Sequence, residues 1–163
     1  MDHTKREQYL HRYDDASRAI VVAMDHVEGD QLDKRPPGGG WSPREIVHHL
    51  ANAELVESMR LRRMLAENTP VLDHWDESRF SEHLHYDLPI DAPLASFRAN
   101  AEANIELLKV LSEREWRREG NQQRSWPLTV EGWLEDNVAH IRNRLMQILN
   151  ATSGGQVLPD PDP

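Results

Sequence analysis

Four stretches of this chain repeat apolar residues at intervals of three and four, and none alternates with a period of two. That pattern restricts the fold to helices packed on helices. The first stretch covers about residues 5–27, with Tyr9, Tyr13, Ala16, Ile20, Met24 and Val27 on one side and Arg6, Arg12, Asp14, Asp15 and Arg18 on the other. The second begins at Ser42-Pro43-Arg44-Glu45 and continues to about Glu67, with Ile46, Leu50, Ala53, Val56 and Met64 turned inward. Its start is the best marked in the chain: Ser42 is a capping residue, Pro43 suits the first helical position, and Glu45 completes a capping box. The third covers roughly residues 93–111, with Asp91 as its cap and Leu94, Phe97, Ala101, Ile105, Leu108 and Leu111 as its buried stripe. The fourth starts after Thr129 and runs to about Ala151, where Gly154-Gly155 prevents continuation. Four such helices predict an all-α, up-and-down four-helix bundle with one long crossover. It occupies a single domain of residues 1–152, followed by a disordered Pro/Asp tail of residues 153–163.

The connections are long and distinctive. Residues 32–40 combine two prolines with three consecutive glycines and read as a crossover or lid. Residues 68–89 form a longer irregular region with a short helix near 76–83 and a His83-x-His85 pair, a weak metal signal. Ser112 to Trp116 reads as an extra turn, and Gly120 to Pro127 as a polar link. The 163 residues contain no cysteine, which removes disulfides, thiolate ligands and a cysteine nucleophile. A formal charge of -9, with basic residues interspersed among acids, argues against a nucleic-acid surface. No apolar run approaches a membrane span and the N-terminus has no signal-peptide core, so a cytoplasmic location is expected.

Inside this pattern lies a polar stripe. Positions four apart on a helix differ by about 40° around the axis, so His140 and Arg144 share a face, with Asp136, Asn137, Gln147 and Trp133 close to it. The adjoining stripe of Leu134, Ile141, Leu145 and Ile148 is apolar and carries that polar face to the edge of the core. On the second helix His49 lies on the inward side with Glu45, Asn52, Ala53 and Arg60 as face neighbours. His48 is turned about 100° from it and is expected at the boundary or surface. The Arg60-Leu61-Arg62-Arg63 run reads as a solvated face, and the five tryptophans as packing residues, with Trp133 able to wall a cavity.

The order Trp41-Ser42-x-x-Glu45-x-x-x-His49-Leu50, then Glu54 and Arg60-x-Arg62-Arg63, then Thr129 and His140-x-x-x-Arg144-x-x-Gln147-Ile148 resembles the DinB-like superfamily of four-helix-bundle proteins, which includes the YfiT-like group named as metal-dependent hydrolases. The resemblance covers most of the chain. It implies a divalent ion, zinc or nickel, held by one histidine of the second helix and an His-x-x-x-His pair of the fourth. It also implies hydrolase activity, or transferase activity with a low-molecular-weight thiol. His49 and His140 match the first two ligand positions.

Arg144 stands at the third. A guanidinium keeps its proton and has no lone pair to offer a metal. Two function classes follow. In the first, a metal-dependent hydrolase or thiol-dependent transferase works with a degraded triad, His49 and His140 being joined by Asp136 or Glu45. In the second, a metal-free protein binds a small molecule, an anion above all, in a pocket built by His49, His140, Arg144 and Arg60, or serves as an interaction module. Arg144 needs a carboxylate partner, expected among Glu45, Glu57 and Asp136. A homodimer is expected from the resemblance and from the aromatics of residues 72–86.

Overall fold

The computed structural model describes residues 1–122 and 126–153. Four long helices dominate it: α1 (His3–Met24), α2 (Pro43–Ala66), α4 (Asp91–Lys109) and α6 (Val130–Thr152), with the short helices α3 (Glu77–His83) and α5 (Glu113–Trp116) between them. The expected bundle is present. Its principal packed pairs are α1 with α6, α2 with α4, α1 with α4, and α2 with α6. Around the bundle the order is therefore α1, α6, α2, α4. The connections from α1 to α2 and from α4 to α6 both cross a diagonal, where one crossover was expected.

Local chemistry sets the helix ends. Asp2 accepts from the backbone of Lys5 to start α1, and the capping box of Ser42 and Glu45 starts α2, Ser42 N donating to Glu45 Oε2 at 2.8 Å. A second box, Ser112 with Glu115, starts α5. Thr129 caps α6 by accepting from Gly132 N at 3.0 Å. Asp91, expected as a cap, is instead the first residue of α4, and Ile90 precedes it without any side-chain cap. The first helix ends three residues earlier than periodicity suggested, and Gly29–Asp33 forms a 3-10 turn. Gly38, Gly39 and Gly40 all have positive φ, which explains the glycine run. Arg35 ties that connection down, donating to Gly40 O at 2.7 Å and pairing with Glu45 at 2.5 Å. It is a clamped crossover and not a free lid.

Three short strands accompany the helices of this all-α bundle where no strand-like alternation was expected: β1 (Val71–Leu72), β2 (Glu119–Gln122) and β3 (Leu128–Thr129). β1 runs parallel to β2 and β3 antiparallel to it. β1 and β3 are too short to show a period of two, and β2, Glu119-Gly120-Asn121-Gln122, has no apolar residue to alternate, which is why they escaped notice. Arg118, just before β2, donates to Met64 O at 2.6 Å and to Glu67 O, satisfying carbonyls at the C-terminus of α2. The sheet thus binds both long connections to the same end of α2. One contiguous core joins all four long helices, with Tyr13, Ile20, Ile46, Phe97, Trp133, Leu134 and Ile148 fully buried. Each such side chain contributes about 1.5–3 kcal/mol on leaving water. The expected tail and the Gly154-Gly155 stop lie, from residue 154 onward, outside the described residues.

Candidate functional site

The capping box fixes where α2 begins, and seven residues after Ser42 His49 falls on its inward side, with no exposure to solvent. α6 brings His140 opposite. The two Nε2 atoms lie 2.9 Å apart with the rings nearly perpendicular. Arg144, one turn beyond His140, donates its Nε–H to the same His140 Nε2 at 3.2 Å. Its Nη1 reaches Gln147 Oε1 at 3.1 Å and its Nη2 reaches Glu77 Oε2 at 3.1 Å, while the guanidinium lies over the ring of Trp41. Trp41 and Trp75 flank His49, with ring centroids 4.6 and 5.7 Å from it.

Burial, then the Arg144 charge, lowers the pKa of His140 to about 4. The same two causes, followed by His140 itself, lower that of His49 to about 2. Both imidazoles are therefore neutral at pH 7. Arg144 is itself pushed down by burial, against which Glu77 acts.

Beside His140 a cavity of about 150 Å³ is walled by Trp75, Glu77, Trp133, Asp136, Asn137 and the Glu57–Arg60 pair. Trp133 anchors to Glu57 O at 3.1 Å and lines the cavity. Burial raises the pKa of both Glu57 and Asp136. Arg60 Nη1 pairs with Glu57 at 2.7 Å and its Nη2 bonds Asp73 O.

Several expectations are corrected here. Arg144 pairs with none of Glu45, Glu57 or Asp136; its partner is Glu77, delivered by α3 from the long connection. Glu45 is held in the capping box and by Arg35, so it is not a substitute ligand. Both pocket arginines already have carboxylate partners, which removes the basis for an anion grip. Asn137 lines the cavity as well, but its amide is turned into the bundle, with Nδ2 3.2 Å from Tyr13 Oη and 3.4 Å from Glu54 Oε2. His48 is buried, bonded to Leu88 O at 3.0 Å and stacked on Tyr86. The arginine run is not a solvated face: Leu61 is fully buried and Arg62 donates to Asn104 Oδ1 at 2.7 Å. His83 bonds only its own helix, at Arg79 O, and His85 is exposed, so the pair forms no site. The aromatics of residues 72–86 fold inward, Trp75 onto His49, Phe80 onto Trp75 and Tyr86 onto His48, which removes the surface reason for a dimer.

Sequence reasoning missed Glu77 and Trp75 because nothing in a loop's composition reveals where it docks. It also missed a buried cluster in mid-bundle. There Tyr13 Oη donates to Glu54 Oε1, and Asn104 Nδ2 donates to Glu54 Oε1 and Ser58 Oγ at 2.7 Å each. The signal was available: Tyr13, Glu54, Asn104 and Asn137 all fall on inward stripes.

The donor set does not fit a metal. Two nitrogens that share a tetrahedral zinc at about 2.05 Å stand roughly 3.3 Å apart. Here they stand 2.9 Å apart in hydrogen-bond geometry, and the third position presents a permanent donor. Among the described residues no group of three His, Asp or Glu could hold an ion.

A four-helix bundle that faces one histidine of its second long helix with another of its last, beside a wall built from long connections, defines a class of protein in which the site sits between α2 and α6. The family model described as the DinB superfamily matches residues 12–148, and the chain belongs to that superfamily. A relative from Oceanobacillus iheyensis named "Putative metal-dependent hydrolase" is 27% identical over 123 residues, 76% of this chain and 72% of its own length. One of the same name from Halalkalibacterium halodurans is 30% identical over 61% of this chain and 57% of its own. The structure of YfiT from Bacillus subtilis, described as a probable metal-dependent hydrolase with an unusual four-helix bundle topology, has a TM-score of 0.87 at 23% identity, covering 94% of this chain and 89% of that one. A mycothiol-dependent maleylpyruvate isomerase shares the fold at TM-score 0.70 and 13% identity, over 88% of this chain and 60% of its own. No helix among the described residues is long and apolar enough to cross a membrane.

Proposed function

We propose that this chain is a small-molecule-binding member of the DinB superfamily that works without a resident metal, Arg144 supplying the fixed positive charge beside His140. The observation that carries this reading is the Arg144 Nε contact to His140 Nε2, made at the position where the family resemblance implies a third ligand. Hydrolase or thiol-transferase chemistry of the kind implied for the superfamily needs an ion that these residues do not suit. What they do offer is a cavity of about 150 Å³ with a neutral imidazole, carboxylates and indole rings on its walls. A small polar molecule is the ligand this supports.

The test is elemental analysis of untagged protein, followed by zinc and nickel titrations of the wild type and Arg144→His. The expected result is a metal-free wild type that takes up neither ion, and a variant that gains one because a third imidazole replaces the guanidinium. A stoichiometric divalent ion in the wild type that His140→Ala removes would overturn the proposal.

A further inference from the structure

The proton positions around the histidine pair are fixed by Arg144. Its Nε always carries hydrogen, so the contact at 3.2 Å makes His140 Nε2 an acceptor. His49 Nε2 approaches that same atom at 2.9 Å and must therefore be the donor. A neutral imidazole has one N–H, so Nδ1 of His49 is left with a lone pair. This atom is buried and has no hydrogen-bond partner. The carboxylate of Glu77 stands beside it, with Oε2 3.9 Å away. Two acceptors thus face each other across a gap that a single atom can bridge.

We infer that this gap receives the N–H group of a primary amine, bound as its ammonium between His49 Nδ1 and Glu77. The inference rests on the metal-free reading above. A bridging atom about 2.8 Å from each acceptor fits a separation of 3.9 Å, and it must carry at least two hydrogens. Water, with its two hydrogens, meets that demand. An ammonium meets it and also matches the charge of the cavity. Glu57 is balanced by Arg60 and Glu77 by Arg144, whereas Asp136 has no cationic partner among the described residues. The balance is negative. Glu77 and Trp75, whose ring stacks on that of His49, both line the cavity, so the carbon chain of an amine held against Glu77 is directed into it. The Trp75 ring adds a face that favours a cation. A carboxylate or phosphate would meet a lone pair and a site whose two arginines are already paired with carboxylates.

The experiment uses the full chain labelled with 15N at histidine, confirmed metal-free, and titrated at constant ionic strength with ethylamine hydrochloride, tetramethylammonium chloride or sodium acetate. Expected are a lone-pair chemical shift for His49 Nδ1 that moves saturably with ethylammonium, at least tenfold weaker binding of tetramethylammonium, which has the charge but no N–H, and no binding of acetate. In Glu77→Gln the new amide can itself donate to Nδ1, and ethylammonium affinity falls at least tenfold. In Asp136→Asn it falls several-fold while the His49 tautomer is unchanged. Amide spectra show that each variant is folded. Equal binding of tetramethylammonium, binding of acetate, a protonated Nδ1, or no saturable response to ethylammonium overturns the inference. Metal in the sample instead overturns the reading on which it rests, so the two failures are distinguishable.

Discussion

Tyr13 on α1 donates its hydroxyl to the carboxylate of Glu54 on α2 in the middle of the bundle, where both side chains are sealed from solvent. Burial raises the Glu54 pKa to about 7, against the hydrogen bonds from Tyr13, Asn104 and Asn137, which oppose the rise. An acid whose folded pKa lies above its unfolded value stabilises the fold fully below the unfolded value and loses that contribution as pH rises through the folded one. Urea unfolding should therefore show a loss of about 3 kcal/mol between about pH 4.5 and 7 from this residue. Glu54→Gln should abolish it, and a variant that retains the same pH slope would disprove the assignment.

The histidine pair acts with the opposite sign. Both pKa values lie below the ordinary value of 6.5, so the unfolded chain takes up protons first. Stability should fall as pH drops below 6.5, through 4 for His140 and towards 2 for His49. His140→Gln should flatten that acid limb measurably, in the same unfolding series in which Glu54→Gln flattens the other.

Removing the cation should release the imidazoles. Because Arg144 lowers both histidine pKa values, Arg144→Met should raise both, His140 most clearly, in an NMR pH titration. The cost in stability should stay within about 1 kcal/mol, since its partner Glu77 is half exposed and the pair is screened by solvent. Unmoved histidines would show that burial alone sets them.

Gly120 on β2 packs against Leu72 so closely that a Cβ there would stand 2.7 Å from Leu72 Cγ. Leu72 is itself buried and cannot simply swing aside. Gly120→Ala should destabilise by about 1–3 kcal/mol, the usual cost of overpacking, read from the denaturation midpoint. A neutral outcome would mean that the strands do not pair as described.

The parts of the molecule that were legible from sequence share one property: they repeat. Ser42 with Glu45, Thr129, and the inward rows of α2 and α6 placed His49 and His140 on facing helices before any coordinates existed. The same rows held Tyr13, Glu54, Asn104 and Asn137, so the buried cluster was readable in principle. What could not be read was the docking of non-repeating chain. Glu77 and Trp75 reach the site because a short helix and a two-residue strand fold back on α2, and neither element is long enough to leave a period. Glu45, Glu57 and Asp136 were the expected partners of Arg144, but Glu45 is taken by Arg35 and the capping box and Glu57 by Arg60, and the connection supplies Glu77.

The strand pairing of Val71 with Asn121 joins chain segments about fifty residues apart. The two paired residues of β1 gain far less apolar burial than the facing helices, which together bury the core, so this pairing should be among the late events of assembly. The long helices then collapse first into a bundle that already holds His49 and His140 but lacks its outer wall. Competence to bind would mature after the core has formed, and a chain that misplaces either connection would yield a well-packed, soluble and empty-handed protein.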